Sequence, residues 1–121
     1  MKNKRVIIIC FAILVFVCTI GITYYKNMPI VSINNNVLHG EMVANGVGFS
    51  VDSSKYLSIN YRSTVKDGDL TIRLTDENWN TIKEFDAGTS SQEKISLEKG
   101  NYYMRVESDY FKGNYKVQVY N

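Results

Sequence analysis

The chain has 121 residues, 14 basic and 12 acidic, with 45% hydrophobic residues and 12% aromatic ones. That length holds one domain, and that composition excludes a disordered polar chain. The charge is unevenly placed: Lys2, Lys4, Arg5 and Lys26 have no acid among them, while residues 27–121 carry the other 10 basic residues and all 12 acids. A mildly acidic domain with interspersed signs lacks the basic footprint of a nucleic-acid binder.

Residues 1–5 form a basic cap and are expected to stay cytoplasmic. From Val6 to Thr23 the sequence is uncharged, with Thr19 and Thr23 its only polar side chains. Eighteen residues of helix span about 27 Å, close to the ~30 Å hydrocarbon core of a bilayer. Tyr24 and Tyr25 fall where an interfacial aromatic belt sits, and Lys26 where a lysine reaches the headgroups. A transmembrane signal-anchor over residues 6–25 is therefore expected, with the C-terminal domain extracytoplasmic. The alternative is a cleaved signal, which would release a small secreted protein. The one small-residue pair at the required spacing, Thr19-Ile20-Gly21, is a poor cleavage site. A lipoprotein box is missing, since Val17 precedes Cys18 and Ile9 precedes Cys10. Those are the only two cysteines, so a domain after residue 26 has no disulfide and depends on its hydrophobic core.

Asn27-Met28-Pro29 holds the only proline and marks a break. Residues 26–40 read as a linker or first edge strand, and residues 41–121 as the domain. Within the domain the apolar period is two. Leu57, Ile59 and Tyr61 share a face, as do Leu70, Ile72 and Leu74; Ile95 and Leu97; Tyr102, Met104 and Val106; and Tyr115, Val117 and Val119. Ile82 and Phe85 belong to a weaker run, and residues 42–47 and 49–51 are further candidates. Polar breakers such as Lys66-Asp67-Gly68, Asp76-Glu77-Asn78 and Lys112-Gly113 separate the runs. About eight short strands, each with one apolar and one polar face, predict an all-β antiparallel sandwich of jelly-roll type.

Three segments carry a family resemblance. Gly68-Asp-Leu-Thr-Ile-Arg-Leu-Thr-Asp76, Gly100-Asn-Tyr-Tyr-Met-Arg-Val106 and Gly113-Asn-Tyr-Lys-Val-Gln-Val119 resemble, in order and spacing, strands of bacterial prepeptidase C-terminal domains and related carbohydrate-binding-module-like jelly rolls. The resemblance covers residues 50–120. It implies the fold and an exported setting, usually beside an enzyme that is not present in this chain. Two departures are local: the family's turn, often Asp-x-x-Gly, is here Asp76-Glu77-Asn78-Trp79-Asn80, and the usual Pro or Ala before the later glycine is Lys99.

No catalytic or cofactor-binding constellation is expected. His39 is the only histidine, so a His-based triad or multi-histidine zinc site is excluded. Asp69 and Asp76 stand at opposite ends of one strand, about 23 Å apart, too far to share a calcium ion, and turn chemistry accounts for both. Trp79, set among Asn and charged residues in a turn, is the leading contact residue, either for stacking on a sugar or anchoring a protein, or else for covering an open edge. Tyr103, Tyr110 and Phe111 extend it if their faces point outward. The sequence thus predicts a non-enzymatic, membrane-tethered module that binds a protein or a cell-envelope component such as a glycan. The other reading is an accessory subunit whose helix docks with a membrane protein.

Overall fold

The computed structural model describes residues 2–26 and 28–121. Helix α1 runs Lys2–Lys26, about 37 Å at 1.5 Å per residue. Its window Asn3–Ile20 has a mean hydropathy of 2.2 and is wholly unburied. Ile8, Phe11 and Phe16 are each about two-thirds exposed. A helix apolar on every side has no polar face to offer water. The side chains of Tyr24, Tyr25 and Lys26, on which the aromatic-belt expectation rests, lie outside the described residues. So does Asn27 of the break.

The domain has six strands: β1 (Val31–Val51), β2 (Lys55–Gly68), β3 (Thr71–Asp76), β4 (Thr81–Phe85), β5 (Ser90–Leu97) and β6 (Gly100–Tyr120). The expected count of eight is corrected here. Residues 31–40, 42–47 and 49–51 belong to one continuous strand, β1, and the Tyr102–Val106 and Tyr115–Val119 runs belong to another, β6. The reason is that β1 and β6 pair with each other antiparallel along nearly their whole length, from Val31↔Val119 to Val51↔Gly100. Each supplies the ladder hydrogen bonds that carry the other through its polar middle.

That long pair bends between two layers. The second half of β1 and the first half of β6 join β3 and β4 in a front layer, with β6 pairing β3 as Thr71↔Glu107 to Asp76↔Tyr102. The first half of β1 and the second half of β6 join β2 and β5 in a back layer, with β2 pairing β6 as Ser58↔Tyr120 to Gly68↔Phe111. Register irregularities at Val37/Glu41, Glu41/Val43 and Val65/Asp67 mark the corner. Gly113 sits there with φ +146°, and a Cβ on it would stand 1.9 Å from the Thr64 carbonyl oxygen, so no side chain fits.

The inward faces close on one another. Tyr61 of the back layer packs against Phe85 of the front layer, ring centroids 5.0 Å apart. Asn45 Nδ2 of the front layer donates to the Tyr115 hydroxyl of the back layer at 3.1 Å. Leu57, Ile59, Ile72, Leu74, Met104, Val106 and Val119 are fully buried between them. Each such side chain contributes about 1.5–3 kcal/mol of transfer free energy. The fold is an antiparallel β-sandwich preceded by one apolar helix.

Candidate functional site

The turn from β3 to β4 is organised by Asp76. Its Oδ1 accepts from the Asn78 and Asn80 backbone N–H groups, both at 2.9 Å, and its Oδ2 from Asn80 Nδ2 at 3.3 Å. The backbone closes the same turn, with Trp79 N–H donating to the Asp76 carbonyl at 3.1 Å and Asp76 N–H to the Asn80 carbonyl at 3.0 Å. The Asn80 N–H does most to hold the Asp76 carboxyl below the usual carboxylate range; partial desolvation opposes it, and the Asn80 amide and Asn78 N–H assist.

Within this turn Trp79 has φ +66°, the only positive φ at a non-glycine residue in the described chain. This is the left-handed position that glycine fills in an Asp-x-x-Gly turn, and here a bulky side chain bears its steric cost of about 1–2 kcal/mol. The left-handed backbone places the indole over the outer face of the front layer. There it stacks on Tyr103 (centroids 4.9 Å apart, interplanar angle 27°) and lies 4.7 Å from the Arg105 guanidinium carbon. Tyr103 and Arg105 alternate on one face of β6, so the indole rests across two neighbouring side chains of the strand. It remains 56% exposed.

The floor beside the stack is kept low by small residues. Ala44, Gly46 and Gly48 occupy successive outward positions of β1 opposite Glu107, Arg105 and Tyr103. A Cβ on Gly48 would stand 3.0 Å from the Tyr103 ring, so the glycine lets the ring settle against the backbone. Glu107 ion-pairs with Arg105 and, at 2.9 Å, with Arg73 of β3. One carboxylate thereby holds two guanidinium groups, one on each of its oxygens. Ala44, Asn45, Gly46, Trp79, Tyr103, Arg105 and Glu107 line an open depression of about 280 Å³. Flat aromatic surface beside fixed charged donors and acceptors suits a ligand with both an apolar face and hydroxyl groups.

Of the four residues singled out in the sequence, Trp79 and Tyr103 meet in this ledge. Tyr110 is 47% exposed but lies at the corner, its ring over Gly40 and its hydroxyl near Asp67. Phe111 is fully buried, with its ring tilted against Tyr115 at 6.1 Å. The expectation that Phe111 joins an exposed patch is corrected by its place in the core. Arg73, Arg105, Glu107 and the Ala44/Gly46/Gly48 floor were not singled out by the sequence reading. The signal for Arg105 and Glu107 was alternation with Tyr103 on one strand, and for the floor the alternation of three small residues on its partner. Among the described residues no group of three His, Cys, Asp or Glu side chains converges as a metal site.

No protein-family model matches the chain, and comparison with the curated proteins finds no relative. Solved structures do match. The prepeptidase C-terminal domain of a collagenase from Bacillus anthracis superimposes with a TM-score of 0.56 at 22% identity, covering 74% of this chain and 87% of that one. A family 35 carbohydrate-binding module from an environmental isolate gives 0.50 at 12% identity, covering 79% and 78%. The sandwich is the one those domains share. At such identities the likeness establishes fold, and the resemblance carried by residues 68–76, 100–106 and 113–119 holds at that level.

Proposed function

We propose that this protein is a non-enzymatic binding module, held at the outer face of a membrane by α1, that contacts glycan rings through the Trp79–Tyr103 ledge. The observation that carries the reading is the indole itself. A tryptophan occupies a left-handed turn position, costly for any side chain but glycine, and is held there more than half exposed beside fixed guanidinium and carboxylate groups. A side chain serving only to cover a sheet edge has no need of that backbone conformation. Stacking of an aromatic plane on the C–H face of a sugar leaves the ring hydroxyls to Arg105 and Glu107 at the rim. The apolar helix supports the tether, and the basic residues before it support a cytoplasmic N-terminus. The shared fold with a carbohydrate-binding module agrees with this reading.

Trp79 is the only tryptophan in the chain, so its fluorescence reports on the ledge directly. Full-length protein in zwitterionic micelles is titrated with a panel of neutral oligosaccharides. At least one is expected to blue-shift or quench the emission, and Tyr103→Ala to weaken that titration by ~10-fold, as loss of one stacking partner would. A panel that leaves the emission unchanged, or a Tyr103→Ala variant that titrates like the wild type, defeats the proposal.

A further inference from the structure

On the opposite side of the sandwich, the outer face of the back layer has a charge pattern unlike the rest of the domain. Register places Gln92, Asn60 and Gln118 side by side across β5, β2 and β6, and the next row sets Arg62 of β2 beside Lys116 of β6. Lys94 lies opposite Ser58, four residues back along β2 from Arg62 or about 13 Å at ~3.3 Å per residue. Away from the corner, the other outward positions of these four strands are Ser, Thr, Asn and, at one end, Tyr; at the corner itself Lys66 and Lys112 add cations, Asp67 pairs across from Lys112, and Leu38 is exposed. Away from the corner, three cations thus share an acid-free stretch of this face, on a domain whose residues 27–121 have more acids than bases.

Two details make this more than a solvated surface. Arg62 and Lys116 are direct cross-strand neighbours, an arrangement that costs stability by like-charge repulsion, and neither has an ion-pair partner among the described residues. At the centre of the amide row, Asn60 Oδ1 is buried without a hydrogen-bond partner, an acceptor that ordinary packing would satisfy. Two adjoining open depressions, of about 310 and 550 Å³, meet at Arg62 and Lys116.

We infer that this face is a second binding surface, for an anionic, hydroxyl-rich polymer laid across the strands. The cations take the repeating negative charge, and the amides, each both donor and acceptor, take the hydroxyls. The arginine–lysine pair is relieved when an anion lies between them. A lipid bilayer fits less well, because the large exposed apolar side chains of this layer, Tyr56 at one end and Leu38 at the corner, lie away from the Arg62–Lys116 centre. The polymer's charge comes from carboxylates, as in a polyuronate, or from phosphodiesters, as in a polyol phosphate. Both present the same chemistry to Arg62 and Lys116.

The test uses full-length protein in nanodiscs of zwitterionic lipid, with retention measured on immobilised polygalacturonate, polyglycerol phosphate and neutral dextran at low and high salt. Retention on one or both anionic polymers is expected, weakening with salt, and the polymer retained identifies the source of charge. The double variant Arg62→Glu/Lys116→Glu, at solvent-facing positions, is expected to lose at least ~10-fold in affinity. Asn60→Ala is expected to lose less, and Trp79→Ala nothing. Trp79→Ala thereby separates this surface from the ledge, whose own failure would leave these results unchanged. The inference is overturned by no retention on either anionic polymer, by equal retention on dextran, or by a double variant that binds as the wild type does. It is also overturned if anionic lipid vesicles bind this face and the polymers do not. A far-UV spectrum and melting profile like the wild type's show that the double variant is folded; if it is not, Arg62→Gln and Lys116→Gln tested singly carry the same expectation in weaker form.

Discussion

Replacing Trp79 by alanine and by glycine separates what the indole does for stability from what its backbone costs. Both substitutions remove the stack on Tyr103, worth about 0.5–1.5 kcal/mol, and the contact with Arg105, worth about 0.5–1 kcal/mol at an exposed site. Alanine keeps the steric penalty of φ +66°, about 1–2 kcal/mol. Glycine relieves it but gains freedom in the unfolded chain, which offsets about 0.4–1 kcal/mol. Trp79→Gly is therefore expected to be more stable than Trp79→Ala by about 0.5–1 kcal/mol. For a domain of this size that is a melting temperature higher by roughly 2–8 °C. Far-UV circular dichroism of the full-length protein in micelles, followed with temperature and with urea, measures the difference. The ordering is unusual, because at most positions glycine is the worse substitution. If Trp79→Ala equals or exceeds Trp79→Gly, the turn does not hold residue 79 in the left-handed region and the argument for a strained, functional tryptophan collapses.

Two further outcomes follow from the geometry. Asp76 has its carboxyl held below the usual range in the folded protein, so it adds stability above its unfolded pKa of about 3.9 that is lost as pH falls through the lower folded value. Asp76→Asn retains an acceptor for the Asn78 and Asn80 N–H groups but does not titrate, and denaturation across pH 2–6 should show a shallower acid limb than the wild type. Asn45→Ala and Tyr115→Phe each remove one end of the bond between the layers. A double-mutant cycle by urea denaturation is expected to give a coupling of about 1 kcal/mol, and a coupling near zero would mean the bond does not hold the layers together.

Much of the sandwich was legible because apolar side chains at period two have only one face on which to be buried. Leu57, Ile59, Ile72, Leu74 and Met104 all read correctly from that rule. Strand continuity was not legible, since polar runs such as Asn34-Asn35-Asn36 look like loops until a partner strand supplies their hydrogen bonds. The misplacement of Phe111 has a sharper cause. Inward residues of β6 are even-numbered at Tyr102, Met104 and Val106 and odd-numbered at Tyr115, Val117 and Val119, so the phase must reverse between them. The sequence shows that a reversal occurs. It does not show where, because the irregularity near Ser108–Phe111 is set by pairing with distant strands. On the late side of the reversal Phe111 points inward and Tyr110 outward. At the ledge, Trp79 was conspicuous because it is a large aromatic set among Asn and charged residues in a turn. Arg73, Arg105 and Glu107 were not, because alternating charges on a strand usually mean only contact with water.

The long embrace of β1 and β6 also dictates the order in which the domain can form. β6 is the shared partner of β1, β2 and β3, and its pairing with β1 joins the two ends of the domain sequence. Until β6 is available, the growing chain can assemble only the β2–β5 and β3–β4 ladders, too little to close a core. Closure of the core therefore waits for β6, and folding is slow, as expected when the decisive contacts span the greatest sequence distance. Under the proposed tethering, this late closure would keep the polypeptide threadable through a membrane channel until β6 has crossed.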